Sequence, residues 1–408
     1  MALDIKISND NLLKWSYMED WENGTSSAPT EHVLSGSGAT VAREGTIVKI
    51  GSYSAAVTRS GADATLYHDY TGYESYQGRK VTFGCWVYST VASRGRIAIN
   101  DGVGSSNSSY HSGGSGWEFL EVTHDVDESA TRLRVEMQVN TGNTSVYFDG
   151  GILCEGDESF VDLDSLVDIS EFTPATRYRG QQFSIPRREG RLIPNITPDG
   201  LTLNLRGMIV GSDAATTRTN KDTLFKSINS TFKKPNDEQG FKNLFLFDDR
   251  YYRVKLTSQN LDSTAVLAVR EFQLGFAADI PFELAVNSTR SSTTIDSSPK
   301  SITVTPIGNT FVRPTIRVTA GSANITTMIF ENLTTSQSWS YVGTITAGNT
   351  LVVDHESLTV ENNGVDDAGN LTGESNLILL PMANNLKVTL TGGSTDSVVK
   401  VDFIDRWY

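Results

Sequence analysis

The chain has 408 residues and a formal net charge of −14, with 20% of its residues charged and 38% apolar. An acidic chain with no basic cluster repels phosphate backbones, which excludes sequence-specific nucleic-acid binding. The length allows two or three domains, each with a core of its own.

The opening MALDIKISND puts Asp4 and Lys6 where a secretory signal needs an unbroken apolar core, and no stretch reaches the length of a membrane span. The expectation is a soluble protein made in a cytoplasm, with no membrane insertion. Segment 1–158 then alternates apolar and polar residues in short runs, VTFGCWVYS (81–89), GRIAIN (95–100), WEFLEVTHDV (117–126), TRLRVEMQV (131–139) and SVYFDGGILCE (145–155). A period of two broken by Gly, Ser and Asn predicts an antiparallel β-sandwich. The acidic, weakly periodic stretch 159–172 reads as a linker, with room for one short helix. Segment 173–287 mixes strands with one helix, since NKDTLFKSINSTF (220–232) spaces Leu224, Phe225 and Ile228 helically behind Asn220 as a candidate N-cap. Segment 288–408 returns to short alternating strands. The fold class is therefore mainly β and multidomain, with a central α+β segment between two sandwiches.

The pair Asp248 and Asp249 in NLFLFDDRYYRVKL (243–256) invites a catalytic reading. Neighbours on a strand point to opposite faces, however, and Asp favours turns, so the pair marks a hairpin tip. The five histidines fall in no metal-ligand spacing, and no nucleophile elbow, phosphate loop or dinucleotide fingerprint is present. No catalytic constellation is legible, and the chain is expected not to be an enzyme. Cys85 and Cys154 lie on strand-like runs and read as buried free thiols, with a disulfide between them as the alternative. The run HSGGSGW (111–117) reads as a flexible hairpin loop.

Two groups of motifs resemble known families. LLKWSYMEDWENG (12–24), VKIGSYSAAV (48–57) and VYFDGGILCE (146–155) resemble, in order and spacing, jelly-roll carbohydrate-binding modules. The resemblance implies a structural calcium held by Glu19 and Asp149, against the alternative of two solvated strand-end charges; no other cofactor is expected. Such modules stack sugar rings on exposed aromatics. The candidates are Tyr67, Tyr70, Tyr73 and Tyr76 in YHDYTGYESY, together with Trp117, and the alternative is strand-edge packing.

The later segments carry RGQQFSIPRREGRL, LNLRGMIVG, NLFLFDDRYYRVKL, PTIRVTAG, LVVDHESLTVENNG, NLILLPMANNLKVTL and VKVDFIDRWY, in that order. Together they resemble the distal tail protein of long-tailed bacterial viruses. That resemblance implies a belt domain over 173–287 and a galectin-like sandwich over 288–408. It further implies a homo-hexameric ring at the virion tail tip that joins the tail tube to the baseplate hub, with host cell-surface saccharide as a candidate partner of the first module. Arg177, Arg179, Arg187, Arg188 and Arg191 crowd the start of the charge-balanced belt and are the expected subunit interface. The competing reading is a secreted or cell-surface protein that binds or cleaves polysaccharide.

Overall fold

A computed structural model describes residues 5–8, 11–13, 16–163, 167–179, 183–184, 191–192, 197–232, 241–247, 249–261 and 269–408. The chain is mainly β and multidomain, as its alternation predicts. It divides into two units, Met1–Glu283 and Leu284–Tyr408.

The first unit begins in one sheet and leaves it at once. Strand β1 (Lys6–Ser8) belongs to the sheet of the central segment rather than to the sandwich that follows it. The sandwich is built from β2 (Val33–Ser35), β3 (Thr40–Glu44), β4 (Ser54–Thr58), β5 (Ala64–Asp69), β6 (Lys80–Ser89), β7 (Gly95–Asn100), β8 (Ser105–Asn107), β9 (Gly116–Asp125), β10 (Arg134–Val139) and β11 (Ser145–Glu155). One sheet has the order β2-β5-β10-β7-β8 and the other β3-β4-β11-β6-β9. The period of two is visible in β10, whose valines and methionine are buried while the polar residues between them are not. Phe83, Phe148, Leu66, Ile97 and Ile99 fill the space between the sheets. Each such side chain contributes about 1.5–3 kcal/mol by leaving water.

The chain then returns to the central sheet through β12 (Phe160–Asp162) and β13 (Asp168–Arg179), so the stretch read as a linker with room for one short helix holds strand at 160–162 and from 168 onward. β12 pairs with β1, which places Ser8 opposite Phe160. The ordering continues through β14 (Phe183–Ser184), β15 (Arg191–Leu192), β16 (Thr197–Val210), α1 (Ala214–Phe232), β17 (Lys242–Phe247), β18 (Arg250–Leu261) and β19 (Val269–Ala278). The antiparallel path is β12-β1-β17-β18-β19-β16-β13, with β14 and β15 forming a small ladder of their own. Leu224 and Ile228 of α1 are buried with Leu203, Leu205, Leu244 and Phe276 of the sheet.

The helix starts earlier than its apolar spacing suggests. Asp213 is the cap, accepting the Thr216 N–H at 2.7 Å, whereas Asn220 sits inside the helix and donates to the Val210 carbonyl at 2.8 Å. The first two turns are mostly exposed and carry no apolar residue larger than alanine, so hydrophobic periodicity has nothing to report there. The β17–β18 hairpin is as expected: Phe247 faces Arg250, and Asp249 lies exposed at the tip. Asp248 lies outside the described residues.

The second unit is a sandwich of its own. One of its sheets places Ser397–Trp407 beside Thr315–Thr319, and the other has Asn384–Gly392 between Lys300–Val304 and Ile325–Asn332. Its core is centred on Trp339, stacked on Phe330 with ring centroids 5.4 Å apart. His355 is fully buried and its Nδ1 is 2.6 Å from the Ser375 carbonyl, a packing role. Among the described residues no helix is long and apolar enough to cross a membrane.

Candidate functional site

The three segments that carry the module-like motifs meet at one irregularity in β11. The pairing of β11 with β6 shifts register between Asp149 and Ile152, leaving Gly150 and Gly151 out of the ladder. Asn11 Nδ2 donates to the Gly151 carbonyl at 2.9 Å, and the Gly151 N–H donates to Ser16 O at 3.0 Å, so the opening segment is pinned to the bulge. Asp149, at the bulge, is fully buried, and its Oδ2 accepts the N–H groups of Lys49 and Ile50, each at 2.9 Å. Glu19 accepts those of Ser52 and Tyr53 at 2.7 and 2.9 Å. The two candidate calcium ligands thus grip the same turn, residues 49–53, from opposite ends of the sequence.

Their electrostatics are uncomfortable. Burial is the main cause that pushes Asp149 up to about 7, with the nearby Glu19 charge adding to it and the backbone donors opposing it. Burial also raises Glu19. Asp149 Oδ1 is buried without a hydrogen-bond partner. Two adjacent carboxylates with an unmatched buried oxygen have the chemistry of a hard-cation site, which takes carboxylate and carbonyl oxygens. Among the described residues no cluster of three or more His, Cys, Asp or Glu side chains could hold a metal, so backbone carbonyls would have to complete the shell.

The tyrosine-rich stretch is arranged otherwise than as one platform. Tyr70, Tyr73 and Tyr76 pack partly buried against the sandwich core, with Tyr70 and Tyr76 edge to face at 5.7 Å. Burial pushes the Tyr76 phenol up to about 12. Tyr67 stands on the outer face of β5, covered by the Arg134 guanidinium 3.6 Å above its ring. Trp117, by contrast, belongs to an aromatic row that the linear sequence disperses. Trp117, Tyr88 and Tyr147 are directly opposite one another on β9, β6 and β11, with successive ring centroids 5.6 Å apart. Ala56 and Ala42 continue the row on β4 and β3, leaving its end low. The signal in the sequence was the parity of Trp86 and Tyr88, one residue out of phase with the core residues Phe83, Cys85 and Val87.

The other end of this face is docked. Phe119 lies beside Trp86, with Lys49 Nζ 4.2 Å over the indole, and Phe119 packs edge to face on Phe160, which packs on Phe245 of β17. Gly84 permits the approach, because a Cβ there would lie 2.4 Å from the Phe119 ring and 2.8 Å from Ser159 Oγ. The sandwich therefore rests on the central sheet through a chain of rings, while Trp117, Tyr88 and Tyr147 stay partly exposed.

Cys85 and Cys154 are free and buried, and Cys85 Sγ donates to the Asp149 carbonyl at 3.3 Å. The glycine-rich loop after Tyr110 is staked from within by buried His111, which takes the Gly113 N–H at 2.8 Å and contacts the Gly116 carbonyl at 2.9 Å. Of the candidate interface arginines, Arg177 and Arg179 lie on β13 at the end of its long ladder with β16, and Arg191 lies on β15. Arg187 and Arg188 lie outside the described residues.

No family model and no curated protein matches the chain. Among solved structures it is similar to the SPP1 Dit protein, described as a paradigm of the hub adsorption apparatus in phages infecting Gram-positive hosts. That match has 15% identity over 61% of this chain and 96% of that one, with a TM-score of 0.48. The CBM22-1 xylan-binding domain of Paenibacillus barcinonensis Xyn10C is similar over 36% of this chain and 96% of its own, at 14% identity and a TM-score of 0.29. The phage P2 baseplate in its activated conformation with Ca is similar over 60% and 93%, at 7% identity and a TM-score of 0.30.

Proposed function

We propose that the chain is a structural protein of a phage tail tip. Copies assemble through the central domain into a ring, six in number by the family resemblance, that joins the tail tube to the baseplate hub. The inserted sandwich is an accessory that meets host saccharide. The observation that carries the reading is the plug-in topology: the sandwich leaves and re-enters the central sheet between two paired strands, as a decoration on a scaffold would. The order of motifs through the central and second units supports the tail assignment. Arg177, Arg179, Arg187, Arg188 and Arg191 would pair with carboxylates of a neighbouring subunit, in the heterologous contact that a closed ring repeats. Glu19 and Asp149 would hold a calcium ion that fastens the turn at 49–53.

Negative-stain micrographs of the purified full chain test this directly. Rings with a central channel are expected. A chain that stays monomeric at micromolar concentration but adsorbs to polysaccharide would instead establish the competing reading, a polysaccharide-binding protein.

A further inference from the structure

Where the two sheets of the sandwich end in β8 and β9, three side chains meet that the sequence gives no reason to connect. Ser106 Oγ of β8 is 2.9 Å from Nδ1 of His124 on β9. His124 Nε2 is 3.1 Å from Oδ2 of Asp101, in the loop after β7, at an angle that leaves this contact bent. Exposure rises along the series, from 1% at Asp101 and 8% at His124 to partial exposure at Ser106. A buried anion, a nearly buried imidazole and a partly exposed serine follow one another.

The proton positions are determined by the anion. Burial alone would raise Asp101, but the N–H groups of Gly104, Asp127 and Val103 and the His124 side chain together hold it well below the usual carboxylate range. An ionised carboxylate only accepts, so the imidazole nitrogen facing it, Nε2, carries the proton. In the neutral ring Nδ1 then keeps a lone pair, 2.9 Å from the serine hydroxyl oxygen. This is the logic of a nucleophile, a base and an orienting acid, with the imidazole presented by the opposite nitrogen from the arrangement usual in serine proteases.

We propose that Ser106, His124 and Asp101 form a nucleophilic centre that hydrolyses small acyl esters, a class that includes the O-acetyl groups of polysaccharides. Ser106 Oγ attacks the acyl carbon while its proton passes to His124 Nδ1, and the departing alkoxide takes that proton as its bond to the acyl carbon breaks. Water then attacks the acyl-serine, giving up a proton to His124 Nδ1 that returns to Ser106 Oγ as the carboxylic acid leaves. Ester and water become alcohol and acid, and nothing else is consumed. The charge of Asp101 favours the imidazolium formed midway. β8 ends its sheet, and its bonded pairs with β7 fall at every second residue, Ser108 N–H to Ile97 O and Asp101 N–H to Gly104 O. By that alternation Ser106 is bonded into the ladder and the N–H groups of Ser105 and Asn107 point off the open edge, about 6.5 Å apart along the strand, so that one of them at most serves a developing oxyanion. This chemistry is independent of the tail-tip reading.

The test uses the folded full-length chain with p-nitrophenyl acetate and a fluorophosphonate probe. One probe per chain is expected, mapped to Ser106. Hydrolysis should fall roughly 100-fold in Ser106→Ala and in His124→Gln at unchanged melting temperature, on the scale of a lost general base. As a guard against misfolding of the histidine variant, the thiol in Ser106→Cys should react with iodoacetamide near pH 7 faster than an unactivated cysteine. A folded wild-type chain that takes no probe, a Ser106→Ala chain that keeps full hydrolysis, or a thiol of ordinary reactivity would each overturn the proposal.

Discussion

Asp149 spends conformational stability on being buried. Its carboxyl titrates near 7 in the fold against 3.8 in an unstructured chain, so between those values the native state holds a proton that the unfolded state has released. Its own contribution to stability therefore falls as pH rises from about 4 to about 7, by on the order of 4 kcal/mol if no cation binds, while His32, which burial pushes down to about 4, contributes in the opposite sense over the same range. A calcium ion on Glu19 and Asp149 would favour the ionised form and remove that slope, because it binds the native arrangement alone. Relative to Asp149→Asn, the full chain is expected to show a first melting transition that declines across this pH range with chelator and holds level with millimolar calcium. In Asp149→Asn the calcium response should vanish. A transition with the same pH dependence in calcium and in chelator would leave the pair as two carboxylates that cap a turn. The pair itself was legible as Glu19 and Asp149 in separate motifs, but their common grip on residues 49–53 was not, because backbone donors have no signature in side-chain identity.

At the level of elements, alternation predicted the strands well where one face is buried, as in β10, and it failed where the decisive pairing is remote. β1 is three residues long, and nothing local says that Lys6 will face Phe245 across the sheet. The helix start was missed for a related reason, since Asp213 acts through one bond to a backbone N–H and not through a periodic face. The tyrosine cluster shows the same limit from the other side: of four rings close in sequence, three pack partly buried against the core, the strand-edge reading, while Trp117, Tyr88 and Tyr147, far apart in sequence, share a row. A sheet face that sets rings side by side suits a sugar chain, whose C–H faces stack on them without any change in charge. On an oligosaccharide array, Tyr88→Ala and Trp117→Ala should each lower binding by roughly fivefold to tenfold, the scale of one aromatic contact, with little dependence on salt. Tyr70→Ala should instead lower the melting temperature and leave binding intact. If the intact folded chain gives no signal on the array, the row is a docking surface for protein.

For the whole molecule, the plug-in topology lets the proposed assembly and the proposed saccharide binding be tested apart. β1 and β12 are antiparallel neighbours with Ser8 opposite Phe160, so the sandwich hangs from the gap that a tight turn could close. Replacing residues 9–159 with an Asn-Gly turn, the pair that best closes a two-residue hairpin, should leave the central sheet paired as it is. Among the described residues it removes the ring contact of Phe119 with Phe160, which leaves Phe160 and Phe245 packed on each other, and the attraction between Glu158 and Lys226 of α1. If assembly belongs to the central domain, this shortened chain should form the same rings as the full chain, measured by light scattering and micrographs, while losing any saccharide binding. Removal of residues 173–287 should have the reverse effect and abolish rings. A shortened chain that folds, by the cooperativity of its melting, but remains monomeric where the full chain forms rings would place the subunit contacts in the sandwich and defeat the assignment of assembly to the belt.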